Sequence, residues 1–215
     1  MRGIYLGHEE GGEKVELDFE KEKISFILLV GYTGSGKSIF HNNLYKELSK
    51  KYSPNELSFV FLDNTMANFV GWQSDHVVKS VVGRPKEAIA ALGEIAQRGT
   101  EKMLFIHIEE CDMVYIDRAA VEAALMKLKK TENVFIVYST SRIDKEYLND
   151  WMKKFIDLKV VFFVPGGDDS IFLLGNNAAS HFKKKGERIL AFNDMQIPCR
   201  PFSDEEVKML ENFKL

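Results

Sequence analysis

The chain has 215 residues, a length that suits one α/β domain and can bury a sizeable core. Its hydrophobic fraction of 45% and charged fraction of 28% are ordinary for globular proteins and exclude wholesale disorder. The formal net charge of −3 gives no global argument for a nucleic-acid partner, so any DNA-binding surface has to be local.

The apolar patterning predicts both strands and helices. The predicted strands cover, in chain order, residues 4–6, 15–19, 24–30, 57–62, 103–108, 134–138, 160–164, 171–174 and 188–192. The predicted helices cover residues 38–50, a segment from Pro85, and residues 119–130, 145–155, 176–182 and 204–213. Strands that alternate with helices imply βαβ units and an α/β fold, with a mostly parallel central sheet covered by helices on both faces.

The domain organisation is predicted to be simple. Neither an internal repeat nor a low-complexity linker interrupts residues 1–215, so we expect one domain, with residues 1–22 as an N-terminal β-hairpin that leads into it. Cys111 and Cys199 fit no metal-ligand spacing, and free thiols suit a reducing compartment. The longest apolar run, residues 24–30, is too short to span a bilayer, so we expect a cytoplasmic protein with no membrane segment of its own.

A glycine-rich turn follows the apolar run 24–30. Residues 31–38 read GYTGSGKS and fit the phosphate-loop pattern G-x-x-x-x-G-K-[ST], with a strand before and a helix after. The glycines let the backbone curl so that successive N–H groups point at phosphate oxygens, and the helix start adds its positive end. The predicted nucleotide-binding residues are Gly31, Tyr32, Thr33, Gly34, Ser35, Gly36, Lys37, Ser38 and Ile39.

Two residues of this loop have predicted chemical roles. Lys37 places a compact positive charge on the β and γ phosphates and counts as catalytic, while the Ser38 hydroxyl is a Mg²⁺ ligand. The sequence lacks an N-K-x-D guanine signature, which favours ATP over GTP.

An acidic pair follows the predicted strand 103–108. Glu109 is expected to hold Mg²⁺, usually through water, and Glu110 to polarise the attacking water as the catalytic carboxylate. The first acid of such pairs is normally Asp, so Glu109 is one methylene longer than usual. The alternative is a solvated acidic strand end, and Asp112 is either a helper or a helix cap.

A run of hydroxyl residues ends the predicted strand 134–138. In motor ATPases a polar residue at this position senses the γ-phosphate, and Thr140 or Ser141 can take that role. A Ser/Thr-rich turn before a helix is an equally good interpretation of these residues alone.

Taken in order, these motifs resemble the FtsK/SpoIIIE family within the HerA–FtsK group of P-loop ATPases. The matching segments are residues 6–7 and 11–18 for the family's lead-in, 31–38 for GATGSGKS, 84–88 for D-P-K-x-A, 108–110 for I-D-E, 139–142 for A-T-Q-R, 185–190 for G-x-G-D-M-L and 201–207 for F-V-S-D-E-E-V. The resemblance implies a RecA-like P-loop NTPase fold and a DNA translocase that hydrolyses ATP with Mg²⁺. It also implies double-stranded DNA as partner and a homo-oligomeric, hexameric ring.

The chain departs from the family pattern at several positions. Glu109 stands for the Asp of I-D-E, Ser141 for the Gln of A-T-Q-R, and Ile171 for the Arg of D-S-R. Two alternatives therefore stay open. One is an FtsK-like ATPase module of a protein-secretion (type VII-like) or conjugation apparatus, and the other is a weakly active nucleotide-binding assembly module.

The remaining polar residues carry weaker signals. His107 lies inside a predicted strand and is expected to be a packed core residue rather than a catalyst. The lysines at 183–185 and those at 127, 129 and 130 are either solvated faces or DNA contacts. The candidates for an arginine finger acting across a subunit interface are Arg84, Arg118, Arg142, Arg188 and Arg200.

Overall fold

The computed structural model describes residues 3–66, 68–110 and 113–213, without the side chains of residues 113, 114 and 152. Within these residues the strands are β1 (Ile4–His8), β2 (Lys14–Leu17), β3 (Phe26–Val30), β4 (Leu57–Asp63), β5 (Val77–Val82), β6 (Met103–Glu109), β7 (Val134–Thr140), β8 (Leu158–Phe162), β9 (Arg188–Phe192) and β10 (Met195–Cys199). The α-helices are α1 (Lys37–Lys51), α2 (Pro85–Arg98), α3 (Met113–Lys129), α4 (Lys145–Lys154), α5 (Gly167–Leu174) and α6 (Asp204–Glu211), and a 3₁₀ turn covers Ala178–His181.

The chain divides into two compact units. The first comprises Met1–Lys51 with Thr140–Lys214, and the second comprises Tyr52–Ser139. The first unit contains the antiparallel hairpin β1–β2 and the strand order β10-β9-β8-β3, in which β3 and β8 are parallel and the other two pairs antiparallel. Every residue of β3 is buried, as its continuous apolar sequence predicts for a strand that is covered on both faces.

The first helix is fixed to the rest of this unit by side-chain amides. Asn43 Nδ2 donates to the carbonyl of Tyr5 on β1 (2.8 Å), and Asn42 Nδ2 donates to the carbonyl of Leu210 on α6 (2.8 Å). Both asparagines are buried, so these bonds satisfy donors that water does not reach. They hold the helix that follows the phosphate loop.

The second unit is a parallel sheet in the order β7-β6-β4-β5. Every residue of β4 and β7 is buried, and β6 is buried from Leu104 to Glu109. Helix α2 packs on α3 and on β5. Asp117 interrupts α3 with non-helical torsions (φ −151°, ψ 81°). The carboxyl ends of the four strands lie at one edge of this sheet, which places residues 63 and 109 there.

One predicted strand is wrong. Residues 171–174 belong to helix α5, not to a strand. The helix starts at Gly167 after Gly166, carries Asp168 and Asp169 in its first turn, and ends at Gly175 in a left-handed conformation (φ 77°). Acidic residues at a helix start and glycine just past its end both favour a helix, whereas four successive apolar residues have no clear period. The predicted helix 176–182 is a 3₁₀ turn.

Two strands, β5 and β10, escaped prediction because most of their residues are accessible to solvent. β5 pairs only with β4 among the described residues, and β10 pairs only with β9 apart from a bridge between Glu9 and Cys199. Pro198 lies within β10, a position that strands tolerate at a sheet edge. Neither strand has the apolar run that marks the buried ones.

Candidate functional site

The phosphate loop leaves the buried strand β3 and enters α1. Gly34 (φ 81°) and Gly36 (φ 117°) have positive φ values, which L-residues rarely adopt, so the loop needs glycine at both positions. Residues 32–34 and Ser38 are exposed, whereas Ser35, Gly36 and Lys37 are buried. A curled backbone at the start of a 15-residue helix is the geometry that binds phosphate.

Lys37 is the first residue of α1 and folds back over the loop. Its Nζ donates to the carbonyl of Gly31 at 2.8 Å, and its side chain is buried. The Ser35 hydroxyl beside it is also buried and has no hydrogen-bond partner among the described residues. Buried polar atoms are rarely left unsatisfied without a reason, and a phosphate oxygen is an acceptor that suits both groups.

The phosphate loop rests on a second loop from the same unit. The N–H of Gly186 donates to the carbonyl of Ser35 at 2.8 Å. A Cβ on Gly36 would lie 2.9 Å from the Cα of Gly186, so the two backbones are in direct contact. Glu187 shapes this second loop by accepting from the N–H groups of Lys183 (2.6 Å) and Lys184 (2.8 Å). The exposed lysines 183–185 therefore lie beside the support of the phosphate loop.

The sensor candidates lie next to the start of the phosphate loop. The N–H of Gly31 donates to the carbonyl of Thr140 at 3.3 Å. The Thr140 hydroxyl is buried, donates to the carbonyl of Arg142 (3.2 Å) and accepts from its N–H (3.0 Å). Ser141 is partly exposed. Thr140 thus holds the turn 140–142, and of the two candidates Ser141 is the more accessible.

The acidic pair lies in the second unit, at the end of β6. Glu109 is buried, and its Oε2 lies 2.7 Å from Nε2 of His107. The two side chains meet because residues two apart on a strand point to the same face. Burial lowers the pKa of His107 to about 3, although the negative charge of Asp63 acts in the opposite direction and raises it. Burial thus favours the neutral imidazole, whose Nε2 lies at hydrogen-bond distance from the Glu109 carboxyl group.

Glu110 behaves differently from its neighbour. Its φ of 43° lies in the left-handed region, so the chain leaves the strand direction at this residue. Its N–H donates to the carbonyl of Ser139 at 2.8 Å, and the residue is partly exposed. A non-glycine residue at positive φ stores strain that is typical of functional positions. The chain thus leaves the strand at the partly exposed Glu110, whereas Glu109 is buried beside His107.

A third carboxylate lies near this pair. Asp63, the fully buried last residue of β4, accepts from the N–H and hydroxyl of Thr65 (2.9 and 2.7 Å) and from the N–H groups of Asn68 (3.1 Å) and Phe69 (3.2 Å). Burial alone would raise its pKa, but these hydrogen bonds outweigh burial and hold the pKa below its usual value. Asp63 therefore anchors the segment that follows β4, and the Phe69 ring lies 4.6 Å from the His107 ring.

Comparison of the sequence with known protein families identifies the family of this chain. The sequence pattern of the FtsK/SpoIIIE family matches residues 3–171, which is most of the chain. The chain belongs to the FtsK/SpoIIIE family. The resemblance inferred from its motifs is therefore confirmed.

Curated relatives of this FtsK/SpoIIIE chain carry the name DNA translocase FtsK. The protein of Streptococcus pneumoniae is 22% identical over 238 residues, covering 91% of this chain and 31% of the relative. That of Leptospira interrogans is 23% identical over 248 residues, covering 96% and 26%. The chain thus spans about a third or less of the curated relatives that it matches.

Solved structures show the same fold at low identity. The cytoplasmic domain of the Thermomonospora curvata type VII secretion ATPase EccC has a TM-score of 0.74 and 18% identity, covering 99% of this chain and 31% of that one. The conjugation coupling protein TcpA of pCW3, solved as a monomer with ATPγS, has a TM-score of 0.72 and 14% identity, covering 97% and 69%. The FtsK/SpoIIIE chain therefore has the predicted α/β P-loop ATPase fold, with a mostly parallel sheet flanked by helices.

The structure of this FtsK/SpoIIIE chain also bears on the other residues that the sequence singled out. Arg188 has no exposed surface, so it is unavailable as an arginine finger, and no sequence signal distinguished it from the other four arginines. Asp112, the proposed helper or cap, lies outside the described residues. His107 is a buried core residue, but it is also the partner of Glu109. No described helix is long and apolar enough to cross a membrane.

Proposed function

We propose that this chain is the ATPase domain of a DNA motor. It hydrolyses ATP with Mg²⁺ and moves double-stranded DNA in the cytoplasm as a hexameric ring of identical subunits. The observation that carries the proposal is the geometry of the phosphate loop. Gly34 and Gly36 have positive φ values, and Lys37 Nζ donates to the carbonyl of Gly31 at the start of the loop. The curated relatives named DNA translocase support DNA as the moved substrate.

Each residue in the proposed reaction has a role that its environment supports. The phosphate loop binds the β and γ phosphates through backbone N–H groups and Lys37. Glu110 polarises the attacking water, because it is the acid that the backbone turns out of the buried strand. Ser141 is the more accessible sensor of the γ-phosphate, with Thr140 holding its turn.

Mg²⁺ suits the oxygen donors that the chain offers. Ser38 is an exposed residue in the first turn of α1, and the carboxyl group of Glu109 lies against His107. Hydroxyl and carboxylate oxygens are ligands that Mg²⁺ accepts, often through water. When bound, the ion neutralises charge on the phosphate oxygens. Ser38 and Glu109 are the residues that we expect to hold it.

The proposed grip on DNA has to be local, because the chain is acidic overall. The exposed lysines 183–185 are the basic group next to the loop that supports the phosphate loop. A motor that moves along any duplex holds phosphates rather than bases, and such binding weakens steeply with salt.

The test is a titration of ATPase activity with unrelated duplexes at two salt concentrations, with the assembly state of the protein measured in parallel. We expect activity to rise with duplex DNA of any sequence, and the rise to fade at the higher salt. An assembled protein that hydrolyses ATP but responds to no duplex would point instead to a module of a protein-secretion apparatus. A folded protein without turnover would point to an assembly module.

A further inference from the structure

Arg188 is a buried arginine that has no carboxylate partner among the described residues. It is the first residue of β9, with a side chain that has no exposed surface. Three backbone carbonyls surround its guanidinium: Nη1 donates to Gly186 (2.8 Å) and Arg200 (3.1 Å), and Nη2 donates to Leu6 (2.7 Å). A buried charge is costly, so a site that holds one on backbone carbonyls, with no carboxylate in salt-bridge contact among the described residues, needs an explanation.

The surroundings are shaped for this side chain. Its guanidinium carbon lies 4.5 Å from the centre of the Phe202 ring and 5.4 Å from that of Phe40, so two aromatic rings contribute cation–π contacts. Gly7 has a φ of 129°, and a Cβ there would lie 1.9 Å from Nη2, so only glycine leaves room for the guanidinium. Burial lowers the pKa of Arg188 to about 10, which still leaves the group charged at neutral pH.

The contacts of Arg188 lead to the phosphate loop through one residue. Gly186 gives its carbonyl to Arg188 and its N–H to the carbonyl of Ser35 (2.8 Å). Gly186 also lies so close to Gly36 that a Cβ on Gly36 would come within 2.9 Å of the Gly186 Cα. A shift of Gly186 would therefore move the support of the phosphate loop directly.

We propose that Arg188 is a positioning residue for nucleotide binding, whose guanidinium fixes Gly186 and so keeps the phosphate loop in its phosphate-binding form. This inference rests on the proposed function, since it takes the loop as the site of ATP. The planar fork of arginine is required, because the single ammonium of lysine cannot reach carbonyls in three directions with the same geometry. Arg188 thereby ties the hairpin at Leu6 and the segment at Arg200 to the nucleotide site.

The first test compares ATP affinity, measured by calorimetry with Mg²⁺, for the wild type, Arg188→Lys and a control. The control is Asp157→Asn, which weakens the bonds that Asp157 Oδ2 accepts from Ser25 and the N–H of Phe26 (3.0 Å each) at the other end of β3. We expect Arg188→Lys to lower ATP affinity about tenfold, the equivalent of one to two hydrogen bonds. Asp157→Asn should stay within about twofold of the wild type at a similar loss of stability. Equal losses in both variants would overturn the inference.

The second test needs no nucleotide. Amide hydrogen exchange reports the N–H of Gly186, and we expect its protection to fall about tenfold or more in Arg188→Lys. Unchanged protection would overturn the positioning role even if ATP binding were lost. Should Arg188→Lys not fold, Gly186→Ala replaces it, because an alanine at φ 94° strains the backbone of the same loop. Gly186→Ala with wild-type ATP affinity would overturn the inference. A wild type that binds no ATP would overturn the proposed function itself.

Discussion

Substitution of Gly36 by alanine should destabilise the protein far more than the same change at Gly34. At Gly36 the φ of 117° strains any L-residue, which costs of order 1–3 kcal/mol. The new Cβ would also meet the Gly186 backbone, 2.9 Å from its Cα and 3.1 Å from its N, and such overpacking costs roughly 1–3 kcal/mol. We therefore expect Gly36→Ala to lower the free energy of unfolding by about 2–6 kcal/mol.

Gly34→Ala is the matched control for this prediction. Gly34 has a φ of 81°, but a Cβ there would meet no atom within 4 Å. Gly34→Ala should therefore lower the free energy of unfolding only by the backbone strain, about 1–2 kcal/mol. The assay is urea unfolding of both variants without nucleotide, followed by far-UV circular dichroism. Losses that are equal within about 0.5 kcal/mol would refute the contact between the phosphate loop and the Gly186 loop.

Four further single substitutions and one double variant probe other groups. Lys37→Ala should leave the fold intact and lower ATP affinity by about a hundredfold or more, since the lysine charge acts on the phosphates; unchanged affinity by calorimetry would contradict the phosphate-site role. Asp63→Asn should cost about 2–3 kcal/mol at pH 7, measured by urea unfolding, because the carboxylate accepts four hydrogen bonds. Because the pKa of Asp63 in the folded protein is lowered from 3.8, this stabilisation is present above pH 3.8 and is lost as the pH falls through the folded-state pKa. The free energies of unfolding of the wild type and of Asp63→Asn should therefore converge in acid. A stability difference that persists in acid would argue against this role of the Asp63 carboxylate. Glu109→Asp and His107→Leu should each lower the free energy of unfolding by roughly 1.5–3 kcal/mol, and the double variant should lose less than the sum of the two. Strict additivity in this double-mutant cycle would contradict the pairing of His107 with Glu109.

The sequence was most informative where local chemistry determines the backbone. The phosphate loop could be predicted because glycines, lysine and serine at fixed spacing between a strand and a helix have few other uses. The buried strands could be predicted from their continuous apolar runs, and β3 and β4 lie within about two residues of the expected ends. The helix α5 was missed because apolar residues 171–174 fit either period, and its helical signals lie in the flanking Asp168, Asp169 and Gly175.

The roles that depend on contacts distant in sequence could not be predicted. Arg188 lies 182 positions from Leu6, and neither residue type nor spacing reveals that the two meet. The pairing of His107 with Glu109 follows from the two-residue period of a strand, but burial of both side chains is needed to make it significant. The split between a buried Glu109 and an outward Glu110 depends on the positive φ of Glu110, a torsion that no local residue preference demands.

The most direct test of ATP hydrolysis by this chain is the single-turnover rate with Mg²⁺ for the wild type and for Glu110→Gln, at protein concentrations that saturate ATP binding. The glutamine preserves size but cannot act as a base, so Glu110→Gln should bind ATP with wild-type affinity and hydrolyse it at least about a hundredfold more slowly. Hydrolysis by Glu110→Gln at the wild-type rate would contradict the account. If Glu109→Gln were then inactive, the catalytic role would belong to the buried acid instead.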